Sequence, residues 1–276
     1  MKDIQNLGSG VQMDDMCINN IRYADDTTLM DMDFENLQIS TNELEKACSS
    51  WGMKINPTKC KIMSDDPRDI MLNQMPIDKV NNFVFLGSSV PSVEEDIKRR
   101  TKLAAWAFGR LKNTIWSNHD ITRSLKVRIY QSLILPIATY GSESWALRES
   151  DRHRLDVFEM RCLRAMLGVS LLDKIRNNSI RQSLNITSSI NDVICRRRLK
   201  WAGHIFRMPQ HRLPHQAYIN DFSKKRPPGR PPTRWKDQIQ RDLGMTPHEA
   251  KTQATDRTEW RRLTRQGAKG HNVLCR

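Results

Sequence analysis

The hydrophobic pattern of this chain changes its period near Ser92, and that change constrains the fold more than any other feature of the sequence. Before Ser92, apolar and β-branched residues occur in short runs between turn-forming residues, as in strands. After Ser92, apolar residues recur every three or four positions over long stretches, as in amphipathic helices. The sequence therefore predicts an α+β fold, with antiparallel strands and one helix over 1–91 and a mainly α-helical region from residue 92 onward.

The first region has a tight turn at its most acidic point. Residues 16–32 are predicted to form two strands joined by this turn, with Asp25 and Asp26 at the tip. A helix is predicted over 35–51, where Gly52 ends it. Further strands are predicted over 53–56, 60–63 and 81–90, the last of which ends at Gly87.

Composition divides the helical region in two. Apolar stripes predict helices over 92–222, and a third part, 223–276, combines a basic Pro/Gly segment with terminal helices. The predicted helices cover 97–115, 121–134 before Pro136, 150–167 before Gly168, 188–207, 233–243 and 256–265.

Charge is distributed very unevenly along the chain. The formal charge of +14 is the balance of −8 over residues 1–95 and +22 over residues 96–276. A basic excess of this size indicates a polyanionic partner, most simply RNA or DNA, although a soluble basic surface is an alternative. No run of about 18 uncharged apolar residues occurs, so we expect no membrane span and an intracellular, nuclear or cytoplasmic, protein.

The six cysteines predict no disulfide framework. They form no CxxC pair, and their scatter favours reduced, mostly buried thiols. A zinc site built from Cys195, His204, His211 and His215, or from His271 and Cys275, is not expected, because no close pair of thiols anchors it. The cysteines are Cys17, Cys48, Cys60, Cys162, Cys195 and Cys275.

The adjacent carboxylates of Asp25 and Asp26 repel each other at a hairpin tip, so the turn itself gains little from them. A divalent cation changes this balance. Mg²⁺ prefers carboxylate oxygens together with substrate phosphates, and two-metal phosphoryl transfer needs carboxylates on rigid strands. An acidic dipeptide alone is a weak signal of such a site, and its context decides the interpretation.

That context resembles the reverse transcriptases of non-LTR (LINE-like) retrotransposons. "YADD" at 23–26 resembles their catalytic palm hairpin, "WGMKINPTKCKIM" at 51–63 the segment that follows, and "NFVFLGSSV" at 82–90 the primer-grip hairpin. The C-terminal regions of these proteins often look like four segments found here, "LPIATYGSESWAL", "FEMRCLRAMLG", "RRRLKWAGHIFRM" and "GRPPTRWKDQIQRDL". The resemblance implies a partial polymerase palm over 1–91, followed by a helical thumb and C-terminal region.

The resemblance also implies roles for individual residues. Asp25 would be the principal Mg²⁺ ligand, Asp26 a weaker ligand or a partner of the ligand, and Tyr23 would lie near the template-primer. Lys59 would protonate the pyrophosphate leaving group, although a solvated lysine at a strand end is an equal alternative.

Further positions would contact the nucleic acid. Phe85, Leu86 and Gly87 would position the primer end, unless they form an ordinary strand and turn. The basic helix over 97–115 would begin the thumb and grip the duplex backbone. Its expected contacts are Lys98, Arg99, Arg100 and Lys102.

The sequence departs from this family before the hairpin. Such polymerases carry another catalytic aspartate upstream, on a separate strand, together with the fingers. Only 22 residues precede Tyr23, and neither Asp3 nor the pair Asp14 and Asp15 has such a strand. We therefore expect this polypeptide alone not to polymerise DNA, unless a longer element-encoded product supplies the missing palm and fingers.

The basic C-terminal half suggests a second, non-catalytic hypothesis, an RNA- or DNA-binding protein. Arg226 and Arg230 lie in "KKRPPGRPP" at 224–232, which resembles a minor-groove AT-hook, with a basic linker or nuclear-import patch as the alternative. Six tryptophans are interleaved with the basic residues and either pack in the interior or stack on bases. They are Trp106, Trp116, Trp145, Trp201, Trp235 and Trp260.

Overall fold

A computed structural model describes residues 10–13, 16–219 and 234–267. These residues form two units of different architecture. The first unit runs to Pro91, and nearly all residues from Ser92 onward form the second. Short strands with a single helix in the first unit and many helices in the second confirm the predicted α+β class. No helix among the described residues is long and apolar enough to cross a lipid bilayer.

The described residues of the first unit form ten short strands and one α-helix. Its strands pair two at a time: β1 with β2, β3 with β4, β6 with β7 and β9 with β10 are antiparallel, and β5 with β8 is parallel. The strands are β1 Val11–Met13, β2 Met16–Ile18, β3 Asn20–Tyr23, β4 Asp26–Leu29, β5 Lys61–Ile62, β6 Met71–Leu72, β7 Met75–Pro76, β8 Asp78–Lys79, β9 Phe83–Phe85 and β10 Ser88–Val90.

Helix α1, Phe34–Ser50, agrees with the helix predicted over 35–51. Asp33 caps its first turn by accepting a hydrogen bond from the Asn36 backbone N–H at 3.2 Å. Gly52 follows the helix at φ +69°, a left-handed conformation that suits glycine. A small apolar cluster forms the core of this unit, namely Ile62, Ile70, Leu72 and Ile77 with Phe34, Leu37, Ile55 and Cys60 packed against it.

The strand predicted over 53–56 is wrong, because these residues form no strand. Residues 81–90 form the β9–β10 hairpin, as the resemblance to the primer-grip hairpin implied, and not the single strand ending at Gly87 that the apolar run predicted, because Leu86 and Gly87 both take positive φ angles, 47° and 80°. Two consecutive left-handed residues reverse the chain between paired strands.

The second unit is helical throughout its described part. The predicted helices over 97–115, 150–167, 188–207, 233–243 and 256–265 are found with shifted ends. The helices are α2 Val93–Arg110, α3 Arg123–Ile129, α4 Leu135–Ala138, α5 Glu149–Leu167, α6 Asn177–Ser183, α7 Ile190–Phe206, α8 Leu213–Ile219, α9 Trp235–Leu243, α10 Pro247–Ala254 and α11 Arg257–Gly267.

Pro136 does not end the helix predicted over 121–134. The chain passes from α3 through a π-helical turn, Tyr130–Ile134, directly into α4, where Pro136 occupies the first turn. The Leu135 N–H bonds to the Tyr130 carbonyl, one residue wider than in an α-helix. This widening accommodates a proline, which lacks an N–H and would crowd the carbonyl four residues earlier.

Two apolar clusters hold the second unit together. The larger one includes Ile97, Leu155, Leu163 and Ile194, which join α2, α5 and the start of α7. The smaller one joins α7 to α9, α10 and α11, and consists of Cys195, Leu199, Ala202, Phe206, Ile239, Ala250, Ala254, Trp260 and Leu263. Helix α7 therefore contributes to both clusters and forms the centre of the unit.

A close approach between α7 and α11 depends on one glycine. A Cβ on Gly203 would lie 2.1 Å from Nε1 of Trp260, a distance that no real contact allows. With no side chain there, the Trp260 indole lies against α7 and donates from Nε1 to the Leu199 carbonyl at 2.9 Å. Gly203 in "WAGHIF" therefore fixes how α11 packs on α7.

Candidate nucleic-acid interface

The acidic pair lies at a hairpin turn, as the sequence predicted in part. Tyr23 pairs with Asp26 across β3 and β4, so Ala24 and Asp25 form the turn and Asp26 is already a strand residue. Ala24 takes φ 53°, a left-handed conformation that costs a non-glycine residue about 1–2 kcal/mol. Tyr23 is 66% exposed beside the pair.

The carboxylates of Asp25 and Asp26 are exposed, and no other described residue bonds to them. Across the part of the chain that the structure describes, no three His, Cys, Asp or Glu side chains converge as metal ligands. The pair thus offers oxygen ligands of the kind that Mg²⁺ prefers, but no third carboxylate joins them. These described residues do not fit a two-metal polymerase centre.

Two other predicted elements of the polymerase site occupy separate local structures. Lys59 ends a short 3₁₀ turn, Pro57–Lys59, with its side chain exposed. Phe85 ends β9, while Leu86, which is 38% exposed, and Gly87 form the turn of the hairpin. Their predicted roles at the polymerase site therefore stay predictions.

On α2, the four predicted basic contacts have different surroundings. The Lys98 ammonium pairs with Glu94 at 2.9 Å and with Glu95 at 2.7 Å, and hydrogen bonds to these carboxylates raise its pKa. Arg100 is 8% exposed, with its guanidinium carbon 4.1 Å from the centre of the Tyr140 ring. Burial lowers the pKa of Arg100, and this interior position favours a structural role over the predicted phosphate contact.

Of the remaining predicted nucleic-acid contacts, two lie on α2 and two lie outside the described residues. Arg99 is half-buried, and Lys102 is exposed at a small groove of about 530 Å³ between α2 and α5 that Arg161 also lines. Arg226 and Arg230, with the whole segment 224–232, lie outside the described residues.

A larger groove in the second unit was not predicted from the sequence. It has a volume of about 1300 Å³ and lies along α7, α11 and the loop that follows α7. Eight cationic side chains line it, against the single carboxylate of Glu143, and we call it the basic groove. The cations are Arg196, Arg197, Lys200, Arg207, Arg212, Arg257, Arg261 and Arg265.

The helical period places these cations together. Arg257, Arg261 and Arg265 follow one another every four residues, so they form a single row along α11. On α7, Arg196 and Lys200 are likewise four residues apart, on a face opposite to the buried one. Like charges at this spacing weaken a helix, and Arg257 also stands at the positive end of its helix dipole.

None of the eight groove cations forms an ion pair with a described carboxylate. Arg197 donates to the Thr139 carbonyl at 2.6 Å, and Arg207 donates to the Ala254 carbonyl at 2.8 Å. Burial lowers the pKa of Arg207, and repulsion from Arg257 and Arg261 lowers it further. The groove thus concentrates positive charge without internal neutralisation.

A buried ion pair joins α7, which lines the groove, to α9. Arg198 is fully buried, its Nε donates a hydrogen bond to the Asp242 carboxylate at 2.8 Å, and a terminal guanidinium nitrogen forms an ion pair with the same carboxylate oxygen at 2.7 Å. A second hydrogen bond goes to the Trp145 carbonyl at 3.1 Å. "RRRLK" therefore contains one arginine that anchors α7 to α9 among neighbours that face the groove.

The residues considered for zinc do not come together. Cys195 is fully buried in the smaller apolar cluster. His204 lies nine residues further along α7, on the opposite and exposed side of the helix. Nδ1 of buried His215 lies 2.9 Å from the Met208 carbonyl oxygen. His211 lines the basic groove, while His271 and Cys275 lie outside the described residues.

The tryptophans fall into two groups, those that pack in the interior and those exposed enough to contact a ligand. Trp116, Trp145 and Trp260 are buried, as expected of packing residues. Trp106 is 64% exposed on α2, and Trp201 is half-buried in the wall of the basic groove.

Comparison with known proteins defines the class of the first unit. Residues 7–90 match the family model of reverse transcriptase (RNA-dependent DNA polymerase), and this match includes the YADD hairpin and the β9–β10 hairpin. The first unit is therefore reverse transcriptase-like, which confirms the reverse-transcriptase part of the resemblance.

The whole chain is also similar to a particular protein, a transposon-derived protein of Caenorhabditis elegans. The two are 27% identical over 269 residues, which cover 90% of this chain and 96% of the relative. This similarity therefore extends to the helical unit that carries the basic groove. No solved structure matches the chain.

Proposed function

We propose that this chain is a nucleic-acid-binding protein derived from a LINE-like retrotransposon reverse transcriptase, and that it binds RNA or DNA through the basic groove. The observation that carries the proposal is the set of eight groove cations without carboxylate partners. Phosphates would neutralise them, and the counterions released from the nucleic acid would drive association. Such a protein would act in the nucleus or cytoplasm.

The dimensions of the groove suit a stretch of backbone rather than one small ligand. From Arg196 to Arg207, α7 extends about 16 Å at about 1.5 Å per residue. Phosphates of one strand are about 3.4 Å apart along a duplex axis, so this length spans about five of them. The volume of about 1300 Å³ also exceeds the usual range of small-molecule pockets.

We further propose that this polypeptide does not polymerise DNA by itself. Among the described residues, no third carboxylate joins Asp25 and Asp26 as a metal ligand. Polymerisation would require a longer element-encoded product that supplies the remaining palm and fingers, with template-primer as the shared partner. Primer extension by the purified chain in Mg²⁺, abolished by Asp25→Asn, would contradict this proposal.

Binding is tested by fluorescence anisotropy with labelled 20-nucleotide RNA and DNA between 50 and 300 mM salt. For single strands, the logarithm of affinity falls with the logarithm of salt by about 0.7 per phosphate contact, so five contacts predict a slope of about −3.5. Affinity should persist in EDTA, since groove binding requires no divalent cation. Failure of the wild-type chain to bind any polynucleotide at 50 mM salt would refute the proposal.

A matched pair of double variants locates the site. Removing two phosphate contacts with Arg257→Ala and Arg261→Ala should lower affinity about 25-fold at 0.1 M salt and flatten the slope by about 1.4. The control, Arg128→Ala with Lys251→Ala, removes the same charge from exposed residues outside the groove. Equal losses in both double variants would show that net charge, not the groove, governs binding.

A further inference from the structure

The wall of the basic groove carries two aromatic rings among its cations. Trp201 is half-buried and His204 is exposed, and both line the groove. Their ring centres are 5.4 Å apart with planes tilted by 39°. Both rings are accessible to solvent, whereas Trp260, which lines the same groove, is only 3% exposed.

These rings lie on the same face of α7 as Arg197, a cation of the basic groove. Arg197, Trp201 and His204 are separated by four and three residues on α7, so their side chains are neighbours on one face of the helix. The Arg197 guanidinium is held toward this face by its bond to the Thr139 carbonyl. A backbone phosphate on Arg197 would therefore place its base next to the Trp201 indole.

We propose that the basic groove prefers single-stranded nucleic acid, with a base stacked on the Trp201–His204 pair. This inference rests on the proposed function and specifies its ligand. A duplex keeps the faces of its bases covered by neighbouring base pairs, so only an unpaired strand offers a face to an aromatic side chain. Stacking needs no particular base, because every base has a π face, and both RNA and DNA strands qualify.

A purely packing role for Trp201 makes a different prediction. If the indole only supports the fold of α7, its loss weakens every ligand equally, because the groove as a whole deforms. If it stacks on a base, its loss weakens single strands and leaves duplex binding nearly unchanged. The ratio of single-strand to duplex affinity therefore separates the two roles, which an affinity for one ligand does not.

The test uses the full chain with 12-nucleotide single-stranded RNA, single-stranded DNA and a blunt DNA duplex, all at one salt concentration. We expect both single strands to bind at least about fivefold more tightly than the duplex. Trp201→Leu should lower single-strand affinity about 5- to 150-fold, with less than a twofold change for the duplex. Trp201→Phe, which retains an aromatic face, should recover most of the loss.

The matched control is Trp51→Leu, since Trp51 is 73% exposed at the end of α1 and does not line the groove. It should leave all three affinities unchanged. Duplex affinity equal to that of the single strands in the wild type, or an equal loss for all ligands in Trp201→Leu, would overturn the inference. The proposed function would survive that result as long as Arg257→Ala with Arg261→Ala still weakens binding, whereas an absence of all binding would refute the function itself.

Discussion

The packing of Trp260 on Gly203 leads to a sharp prediction about stability. In Gly203→Ala, the new methyl group would lie 2.1 Å from Nε1 and 2.5 Å from Cδ1 of Trp260. Carbon and nitrogen atoms at rest stay more than 3 Å apart, so the indole must move by about an ångström. Trp260 is 3% exposed and packs edge-to-face on Phe206 with ring centres 5.7 Å apart, so it has little room for this movement.

The magnitude follows from three contributions to the free energy of unfolding. Overpacking in a well-filled core costs about 1–3 kcal/mol. Displacement of the indole breaks its hydrogen bond to the Leu199 carbonyl, and a buried N–H left without an acceptor costs about 1–3 kcal/mol more. Alanine regains about 1 kcal/mol through its higher helix propensity. We therefore expect Gly203→Ala to destabilise the protein by about 1–5 kcal/mol.

Another helical glycine provides the control. Gly109 lies in α2, and a Cβ there would meet no atom within 4 Å. Gly109→Ala should therefore stabilise the protein by about 0.5–1 kcal/mol, so the same substitution has opposite signs at the two sites. Denaturant unfolding followed by circular dichroism measures both. An unfolding free energy of Gly203→Ala equal to or above that of the wild type would refute this account of α7 and α11.

Three further predictions concern other parts of the molecule. Ala24→Gly should stabilise the YADD hairpin by about 1 kcal/mol, because glycine takes positive φ without strain, and thermal unfolding of the chain would show a raised midpoint. Asp242→Asn should cost about 3–5 kcal/mol in denaturant unfolding, since it leaves the fully buried Arg198 guanidinium without its counter-charge. Burial raises the pKa of the Cys162 thiol to about 12, so an alkylating reagent at pH 8 should label exposed Cys17 rapidly and Cys162 only after unfolding.

The helices and the residues that end them could be predicted from the sequence, because each signal depends only on residues close together in the chain. The prediction that Gly168 ends a helix is confirmed, and its φ of 72° closes α5 as a left-handed cap. The apolar run over 81–90 alone predicted one strand, since it gave no sign that Leu86 would take a positive φ, whereas the resemblance to the primer-grip hairpin implied the chain reversal between β9 and β10. A bulky side chain rarely adopts that conformation, so propensity favours the wrong interpretation.

The basic groove was missed because its two helices are distant in the sequence. Arg197 on α7 and Arg261 on α11 come together where α11 packs on α7, at the Gly203–Trp260 contact and in the smaller apolar cluster, which no local pattern reveals. One signal was available, the row of arginines every four residues at 257, 261 and 265. Arg100 shows the opposite error. The sequence predicted a solvent-facing basic residue on an amphipathic helix, but the Tyr140 ring covers its guanidinium.

The lack of ion pairs among the eight groove cations in the described structure follows from where the acids are placed rather than from a shortage of acids. Glu259 stands on α11 beside the arginine row, yet it pairs with Arg262 outside the groove. Likewise Lys98 on α2 has two carboxylate partners. In the described structure, carboxylates of the second unit thus pair with Arg262 and Lys98, which lie outside the basic groove, and not with the groove cations. Since self-repulsion in the groove opposes folding, a bound polyanion must stabilise this unit, and binding and stability should rise together.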